Sequence, residues 1–310
     1  MSTTIVAFHG CLRAAGGFSL RCVDRILSVE RERALVSLLD DDSASVRAGV
    51  LAELKRLDDV GVSLLKKVLR EGPEEVAEAA RGLLDQLDGP DAAGEFVAFI
   101  RSMRYELESG ALLLNRVVKP DLEVAPVRAQ LDAIARRCEE LMPKPGSLFE
   151  QCKVLNRVIF HEYGFRGNTE DFEDPLNSFI SPLMRRRKGI PISLSILYIL
   201  VARRCGLELE PVGLPHRFMV GCFAGGAPFY IDVFERGRFR SIDEVHALLE
   251  ANHVPELHRH VGPAPVGEVL CRSCRNLVQH FSRKNNPRMS RLFAGFVREF
   301  EKAYRRHAKP

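Results

Sequence analysis

The chain of 310 residues lacks an apolar run long enough to cross a membrane. Its longest apolar stretch, residues 190–202, falls short of the ~20 residues that a transmembrane helix needs. The opening MSTTIVAFHGCLRAAGG has no basic region ahead of its short apolar run, and His9 and Arg13 interrupt that run, which argues against a secretory signal peptide. The sequence therefore predicts a cytoplasmic protein that does not associate with membranes.

A strong charge of one sign and a clustered set of cysteines are also missing. The formal net charge of +4 argues neither for nor against nucleic acid, and we expect a protein partner rather than a nucleic acid. The eight cysteines are scattered without the spacing of a small disulfide-rich domain, so we expect reduced thiols. With 46% hydrophobic and 28% charged residues, the chain has the composition of a folded globular protein.

A helical period is present from Glu30 to about Leu87. Asp41, Asp42 and Ser43 stand where a turn and a helix N-cap belong, and Pro73 is expected as the first residue of a later helix. The acidic turn followed by SVRAGVLAEL resembles a HEAT-type repeat, in which an arginine in the second helix contacts carboxylates of the preceding turn. A plain helical bundle is the alternative. We assign residues 1–90 to a helical, HEAT-like module.

The Gly- and Pro-containing stretch from Asp88 to Glu95 marks a domain boundary. Beyond it, helical patterns cover 96–118, 124–141, 148–163, 242–251 and the region from 266 onwards. Between them, the alternating runs LELEPVGLPHRFMVGCF and APFYIDVF predict antiparallel strands. We expect a mainly helical α+β domain over 93–285 with a small antiparallel sheet, followed by a basic amphipathic helix over 286–310.

Several blocks between Leu155 and Phe234 resemble the SirB-like branch of the transglutaminase-like superfamily: LNRVIFHEYGFRGN, DPLNSFI, RRRKGIPISLSILYILVARRCGL, GLPHRFMV and YIDVF. A looser likeness runs from about Glu95 to Phe281. The resemblance implies a papain-like core. It also implies a catalytic triad in which a Cys at a helix N-terminus attacks an amide carbonyl, a His on the first following strand takes its proton, and an Asp on the next strand orients the His.

Two of the three triad positions depart from the family pattern. The Cys position is Pro191 and the His position is Arg217, whereas Asp232 matches. His216 and Arg217 are expected on a strand, where their side chains point to opposite faces, with Arg217 beside Asp232. A one-residue slip would bring His216 into the cleft instead, and an Arg217–Asp232 ion pair is the structural alternative.

Four further side chains are candidate binding residues: Asn156, Asn177, Ser195 and Arg217. Ser195 returns to within ~40° of Pro191 around the helix but lies ~6 Å deeper along its axis. Cys205 and Cys222 are expected to be buried thiols without catalytic function.

A zinc site is an alternative use of the CxxC motif at residues 271–274. Cys271 and Cys274, with His258 and His260, are ligands of acceptable type, but both cysteines fall in a helical pattern that favours core packing. We therefore expect no metal and no cofactor.

Two basic segments each have two possible roles, one in binding an anionic partner and one in the fold itself. The run RRRK, residues 185–188, is either an anion-binding loop or a solvated one. The C-terminal helix carries an aromatic and apolar stripe, which either docks onto the core or leaves a basic surface for an anionic partner.

The leading hypothesis is a pseudoenzyme, a catalytically inactive transglutaminase-like protein that acts as a binding or scaffold module. The alternative is an amide-processing enzyme that uses His216 and Asp232 with a non-standard nucleophile. The sequence indicates neither the partner nor the oligomeric state.

Overall fold

The computed structural model describes residues 28–57, 59–88, 91–215, 217–224, 226–254 and 260–307. The contacts between residues divide the chain into two units, Met1–Gly89 and Pro90–Pro310. We describe each unit by itself.

In the described residues of the first unit, helices are the only regular secondary structure. Its hydrophobic core contains Leu39, Leu54, Leu65 and Ala80, all of which are shielded from water. The helices are α1 Val29–Val36, α2 Ala44–Leu57, α3 Asp59–Glu71 and α4 Glu74–Asp88. Pro73 precedes α4 instead of forming its first residue, and its carbonyl accepts the backbone N–H of Ala77.

The turn before α2 is held differently from the expected repeat. Arg47 donates to the backbone carbonyls of Asp41 at 3.1 Å and Asp42 at 3.0 Å, and not to their carboxylates. The Asp41 carboxylate instead accepts the backbone N–H of Ser43 at 2.8 Å. The HEAT-like assignment of this module stays a prediction.

The second unit starts with a helical layer that the sequence pattern only partly resolved. The pattern over 96–118 is two helices, because Met103 takes a left-handed conformation at φ 56° and Glu106 caps the next helix through the backbone N–H groups of Glu108 and Ser109. The helices of this layer are α5 Ala92–Ser102, α6 Leu107–Val118, α7 Val124–Leu141 and α8 Leu148–Asn156. A π-helical turn, Arg157–Glu162, follows α8.

The rest of the second unit combines two small sheets with five α-helices and a short 3₁₀ helix, Pro175–Ser178, among the described residues. A short parallel pair joins β1 Arg166–Gly167 to β2 Lys188–Gly189. The antiparallel sheet has the order β3-β4-β5-β6, and its last strand was not expected. Its strands are β3 Glu210–Val212, β4 Met219–Cys222, β5 Phe229–Asp232 and β6 Arg238–Ser241. The helices are α9 Ile180–Arg186, α10 Pro191–Arg204, α11 Ile242–Ala251, α12 Val266–Arg283 and α13 Pro287–His307.

Helix α10 runs through the main core of the second unit. Every residue from Ile192 to Ala202 is buried, and the helix packs on α7, α6, α9 and the first two strands of the antiparallel sheet. The prediction of a mainly helical α+β fold with a small antiparallel sheet is confirmed. None of the helices in the described part of the chain has the length and apolarity to span a bilayer.

Helix α13 docks onto the second unit through its aromatic stripe. Phe293, Phe296 and Phe300 are buried, and Phe296 meets Phe96 of α5 edge to face at 5.0 Å between ring centroids. The stripe is therefore a core contact. The basic side chains lie on the remaining surface of the helix, where Arg291, Arg298 and Arg305 are exposed.

Candidate functional site

The N-terminus of α10 is built around a proline. Pro191 is the first helical residue and follows Ile190, the N-cap. A proline at this position has no N–H to leave unpaired and has its φ already fixed near the helical value. The Ser193 hydroxyl accepts the backbone N–H of Ile190 at 3.1 Å and donates to the carbonyl of Asn177 at 2.6 Å, which ties the helix start to the preceding loop.

Asp232 ends β5 and has no exposure to solvent. Its Oδ2 lies 3.3 Å from Nη1 of Arg217 and 3.3 Å from Nε of Arg240, and its Oδ1 accepts the backbone N–H of Glu235 at 3.2 Å. The expected alternative of an ion pair between Arg217 and Asp232 is thus present, with a second guanidinium added.

Glu235 closes this network from the other side. Its two carboxylate oxygens accept Nη2 of Arg217 at 3.1 Å and Nη2 of Arg240 at 2.8 Å. Two guanidiniums are therefore shared by two carboxylates, an arrangement in which each buried charge is paired and hydrogen-bonded. We call Arg217, Asp232, Glu235 and Arg240 the ion network.

Arg217 reaches Asp232 from a turn rather than from a strand. Strand β4 begins only at Met219, and the backbone N–H of Arg217 donates to the carbonyl of Leu214 at 3.2 Å. Arg272 of α12 fixes this turn by donating to the carbonyls of Leu214 at 2.7 Å and Arg217 at 3.0 Å. The expected strand placement of Arg217 was wrong, and the argument from alternating strand faces does not apply to it.

His216 lies outside the described residues, and its catalytic role stays a prediction.

The strand pair that leads into α10 is covered by an aromatic ring. Gly167 of β1 pairs with Gly189 of β2, and a Cβ atom on Gly167 would lie 2.4 Å from the ring of Phe234. The ring of Phe172 packs edge to face on Phe234 at 6.0 Å. Phe234 follows Asp232 by two residues, so the segment that carries the carboxylate also covers the approach to β1 and β2.

A small cavity lies beside the start of α10. Its volume of about 10 Å³ matches one water molecule. The residues that line it are Ala111, Leu114, Ser178, Ile180, Ser193 and Ile196. Such a space does not admit a peptide or a glutamine side chain.

The two candidate asparagines are occupied by internal hydrogen bonds. Asn156 donates to the carbonyl of Gly237 at 2.7 Å and accepts the hydroxyl of Tyr198 at 2.9 Å. Asn177 donates to the carbonyl of Asp171 at 2.7 Å and accepts from the side chain of Asn168 at 2.9 Å. Both residues hold loops in place.

Ser195 differs from the two asparagines. It is fully buried, and its hydroxyl has no hydrogen-bond partner among the described residues. It lies on α10 four residues after Pro191, and its role as a binding residue stays a prediction.

The CxxC cysteines lie on α12, and both thiols are in the core. Burial raises the pKa of Cys271, and it raises the pKa of Cys274 well above the ordinary thiol value, which disfavours the thiolate that zinc requires. Within the described ranges no three His, Cys, Asp or Glu side chains are arranged to hold a metal ion. His260 is described, whereas His258 lies outside the described residues.

The basic side chains of residues 186–188, before α10, make contacts within the protein. Arg186 pairs with Asp174 at 2.7 Å and Lys188 pairs with Glu170 at 2.7 Å. The guanidinium of Arg187 lies over the ring of Tyr163, 5.2 Å from its centroid. The run therefore anchors the loops around the start of α10.

Arg240 and Glu235 were not anticipated from the sequence. In the β5–β6 ladder Tyr230 is opposite Arg240, which puts Arg240 on the same face as Asp232. In RFRS, residues 238–241, arginine alternates with Phe239, which is a usable signal for a strand. The run has a single apolar residue, however, and strands are usually recognised by several.

Comparison with known proteins places the site in a family context. Residues 125–275 match the family model described as the transglutaminase-like superfamily. The chain is 31% identical to a UPF0162 protein of Xylella fastidiosa strain 9a5c, in a match that covers 58% of this chain and 66% of that protein. It is 30% identical to human F-box only protein 21, over 54% of this chain and 31% of that protein.

A UPF0162 protein of Vibrio cholerae is 28% identical over 42% of this chain and 48% of its own length. Each of these matches covers less than two thirds of the relative. No solved structure matches this chain significantly.

Proposed function

We propose that this chain, a member of the transglutaminase-like superfamily over residues 125–275, is a catalytically inactive member that acts as a binding or scaffold protein. The observation that supports this proposal most directly is the ion network. Asp232, the triad position that matches the family pattern, is buried and paired with Arg217 and Arg240.

The chemistry of the superfamily needs a thiolate and a proton acceptor. Pro191 carries no nucleophilic atom. The guanidinium of Arg217 has N–H donors and no acceptor, so it cannot serve as the base. In addition, Arg217 forms an ion pair with the carboxylate of Asp232, which in an active triad would orient an imidazole.

A binding role is supported by the relatives. A protein named as an F-box only protein shares this domain, although the match covers 31% of its length. We propose a protein partner for this chain on that basis, without assigning it the relative's own partners.

Catalytic inactivity is tested by assaying the purified chain for hydrolysis and transamidation of glutamine-containing peptides. The wild type, His216→Ala and Asp232→Asn are all expected to give the rate of the enzyme-free blank. Turnover by the wild type that His216→Ala and Asp232→Asn both abolish would establish the alternative, an amide-processing enzyme.

The binding role is tested in cells that lack the gene. A His216→Ala chain at wild-type abundance is expected to restore the phenotype of the deletion, because binding requires no imidazole at that position. His161→Ala, at an exposed residue, is the matched control. Restoration by His161→Ala but not by His216→Ala would contradict a purely non-catalytic role.

A further inference from the structure

Two thiols meet where α7 packs against the end of α10. Cys138 is in the last part of α7, and Cys205 follows the final residue of α10. The Sγ of Cys205 lies 3.6 Å from the carbonyl oxygen of Ala135, which is one turn before Cys138 on α7. A side chain on a helix leans back over the preceding turn, so the thiol of Cys138 lies beside the carbonyl of Ala135 and next to Cys205.

The two cysteines have unequal surroundings. Cys138 is fully buried, whereas Cys205 is partly exposed to solvent. The interaction between the two neighbouring thiols lowers the pKa of Cys205 and, together with burial, raises the pKa of Cys138. Cys205 is therefore the thiol of the pair that is nearer to solvent and the one whose pKa is lowered. A partly exposed thiol of lowered pKa beside a second thiol is the arrangement of a redox-sensitive cysteine pair.

We propose that Cys205 and Cys138 are a peroxide-sensitive pair that closes to an intramolecular disulfide between the end of α10 and α7. The pair is separate from the ion network, and the proposal does not depend on the proposed function.

The reaction balances with one peroxide molecule. The Cys205 thiolate attacks one oxygen of hydrogen peroxide, the O–O bond breaks, and the hydroxide released leaves as water with a proton from solvent. The sulfenic acid that results is attacked by the sulfur of Cys138, and its S–O bond breaks as the S–S bond forms. The hydroxide from that bond takes the Cys138 proton, so two thiols and one peroxide give one disulfide and two waters.

The other described cysteines serve as internal controls. Burial raises the pKa of Cys152, to about 12, and also that of Cys222. Burial likewise raises the pKa of Cys271 and Cys274. These four thiols are therefore poorer nucleophiles at neutral pH than Cys205.

The experiment treats the reduced chain of 310 residues with hydrogen peroxide and then alkylates the remaining free thiols. The chain is digested with trypsin without reduction, and the peptides are mapped by mass spectrometry. We expect fragment 138–153 joined to fragment 205–217, lighter by two hydrogen atoms than their sum, and separated again by dithiothreitol. Fragmentation of the joined peptide is expected to assign the bond to Cys138 rather than Cys152.

Serine variants make the assignment independent of fragmentation. The joined peptide is expected to fall to background in Cys138→Ser and Cys205→Ser, and to persist in Cys152→Ser and Cys222→Ser. In Cys138→Ser, where no partner remains, dimedone is expected to label Cys205 as the sulfenic acid. Circular dichroism confirms that each variant is folded, and Cys138→Ala replaces Cys138→Ser should the latter unfold.

Three results would overturn the proposal: a Cys205 that stays fully alkylatable after peroxide, a Cys205 that proceeds to sulfinic acid in the wild type without a linked peptide, or a bond to Cys152. None of them bears on the absence of amide turnover, so the two proposals fail separately.

Discussion

At the residue scale, Asp232 is defined by its contacts more than by its place in a family pattern. Its carboxylate has no solvent exposure and is held by Arg217, Arg240 and the backbone N–H of Glu235. Removing this carboxylate would leave two partly desolvated guanidiniums with Glu235 as their one remaining carboxylate in the ion network, which destabilises the fold.

Asp232→Asn keeps the shape of the side chain and removes its charge. We expect the free energy of unfolding to fall by about 3 kcal/mol, the lower end of the range for breaking a buried pair, because the Arg217 side chain remains 33% exposed. Urea denaturation with an unchanged slope would measure the loss. Asp121→Asn, at an exposed carboxylate, is the control. Equal stability of the two variants would show that the ion network does not stabilise the protein.

His280 provides a second residue-scale prediction, through pH. It is buried on α12, its Nδ1 has no hydrogen-bond partner among the described residues, and burial lowers its pKa below the ordinary 6.5. As pH falls below 6.5, the unfolded chain therefore binds a proton at this residue that the folded chain does not bind. The free energy of unfolding is expected to decrease there, by up to about 1.4 kcal/mol per pH unit, until the folded-state pKa is reached.

The test compares thermal unfolding between pH 7 and pH 5. His280→Gln is expected to flatten the dependence on pH, whereas His161→Gln, at an exposed histidine, is expected to leave it unchanged. A wild-type stability that rises towards pH 5 would contradict the sign.

At the scale of elements, the sequence predicts those helices whose ends and faces are determined by residues within the helix itself. Helix α10 starts at Pro191 as expected, and the patterns over 124–141 and 242–251 match α7 and α11. Helices α7 and α11 have an apolar stripe, α11 has a capping box at Ser241, and α10 is recognisable by its N-terminal proline and continuous apolar run.

The sequence does not predict the break between α5 and α6 or strand β6, because neither has the residues by which such features are usually recognised. The break between α5 and α6 has neither Gly nor Pro; it is formed by a left-handed Met103 and a Glu106 cap. Strand β6 is short and charged, and it is recognisable only through its pairing with β5. Because Arg240 lies on β6, half of the cationic part of the ion network was missed with it.

A substitution at Gly167 tests whether the ring of Phe234 covers the β1–β2 pair. In Gly167→Ala the new Cβ would lie 2.4 Å from the ring of Phe234, so the ring or the strand must shift. We expect a loss of about 1–3 kcal/mol, as in other overpacked sites. Gly262→Ala is the control, since a Cβ there meets open space.

A double-mutant cycle assigns the cost to that one contact. Adding Phe234→Leu to Gly167→Ala is expected to recover part of the loss, which chemical denaturation would detect as a coupling between the two positions. Strictly additive effects would show that Phe234 does not cover Gly167 in solution.

At the scale of the whole molecule, the described residues form separate cores in the two units. The core of the first unit joins helices that follow one another along the chain, whereas one core of the second unit brings α13 onto α5 and α12. Burying the rings of Phe293, Phe296 and Phe300 contributes about 2 kcal/mol each, a sum of about 6 kcal/mol. This sum is comparable with the net stability of an ordinary domain.

Truncation separates the contributions of the two ends. The fragment 90–310 is expected to unfold cooperatively by itself, because its cores contain no residue before Ala92. The fragment 90–285 is expected to lose cooperative unfolding and to bind the dye ANS, because it exposes the surface that α13 covers. Calorimetry of both fragments measures this, and equal transition temperatures would show that α13 is dispensable.

The contact between Phe96 and Phe296 also sets an order of events during synthesis. The helices of the first unit pack on near neighbours and can form their core as soon as residue 88 has left the ribosome. Phe96 must wait for a partner from α13, at the other end of the second unit. Throughout translation of the residues between them, the apolar face of α5 is a binding surface for chaperones and for other nascent chains.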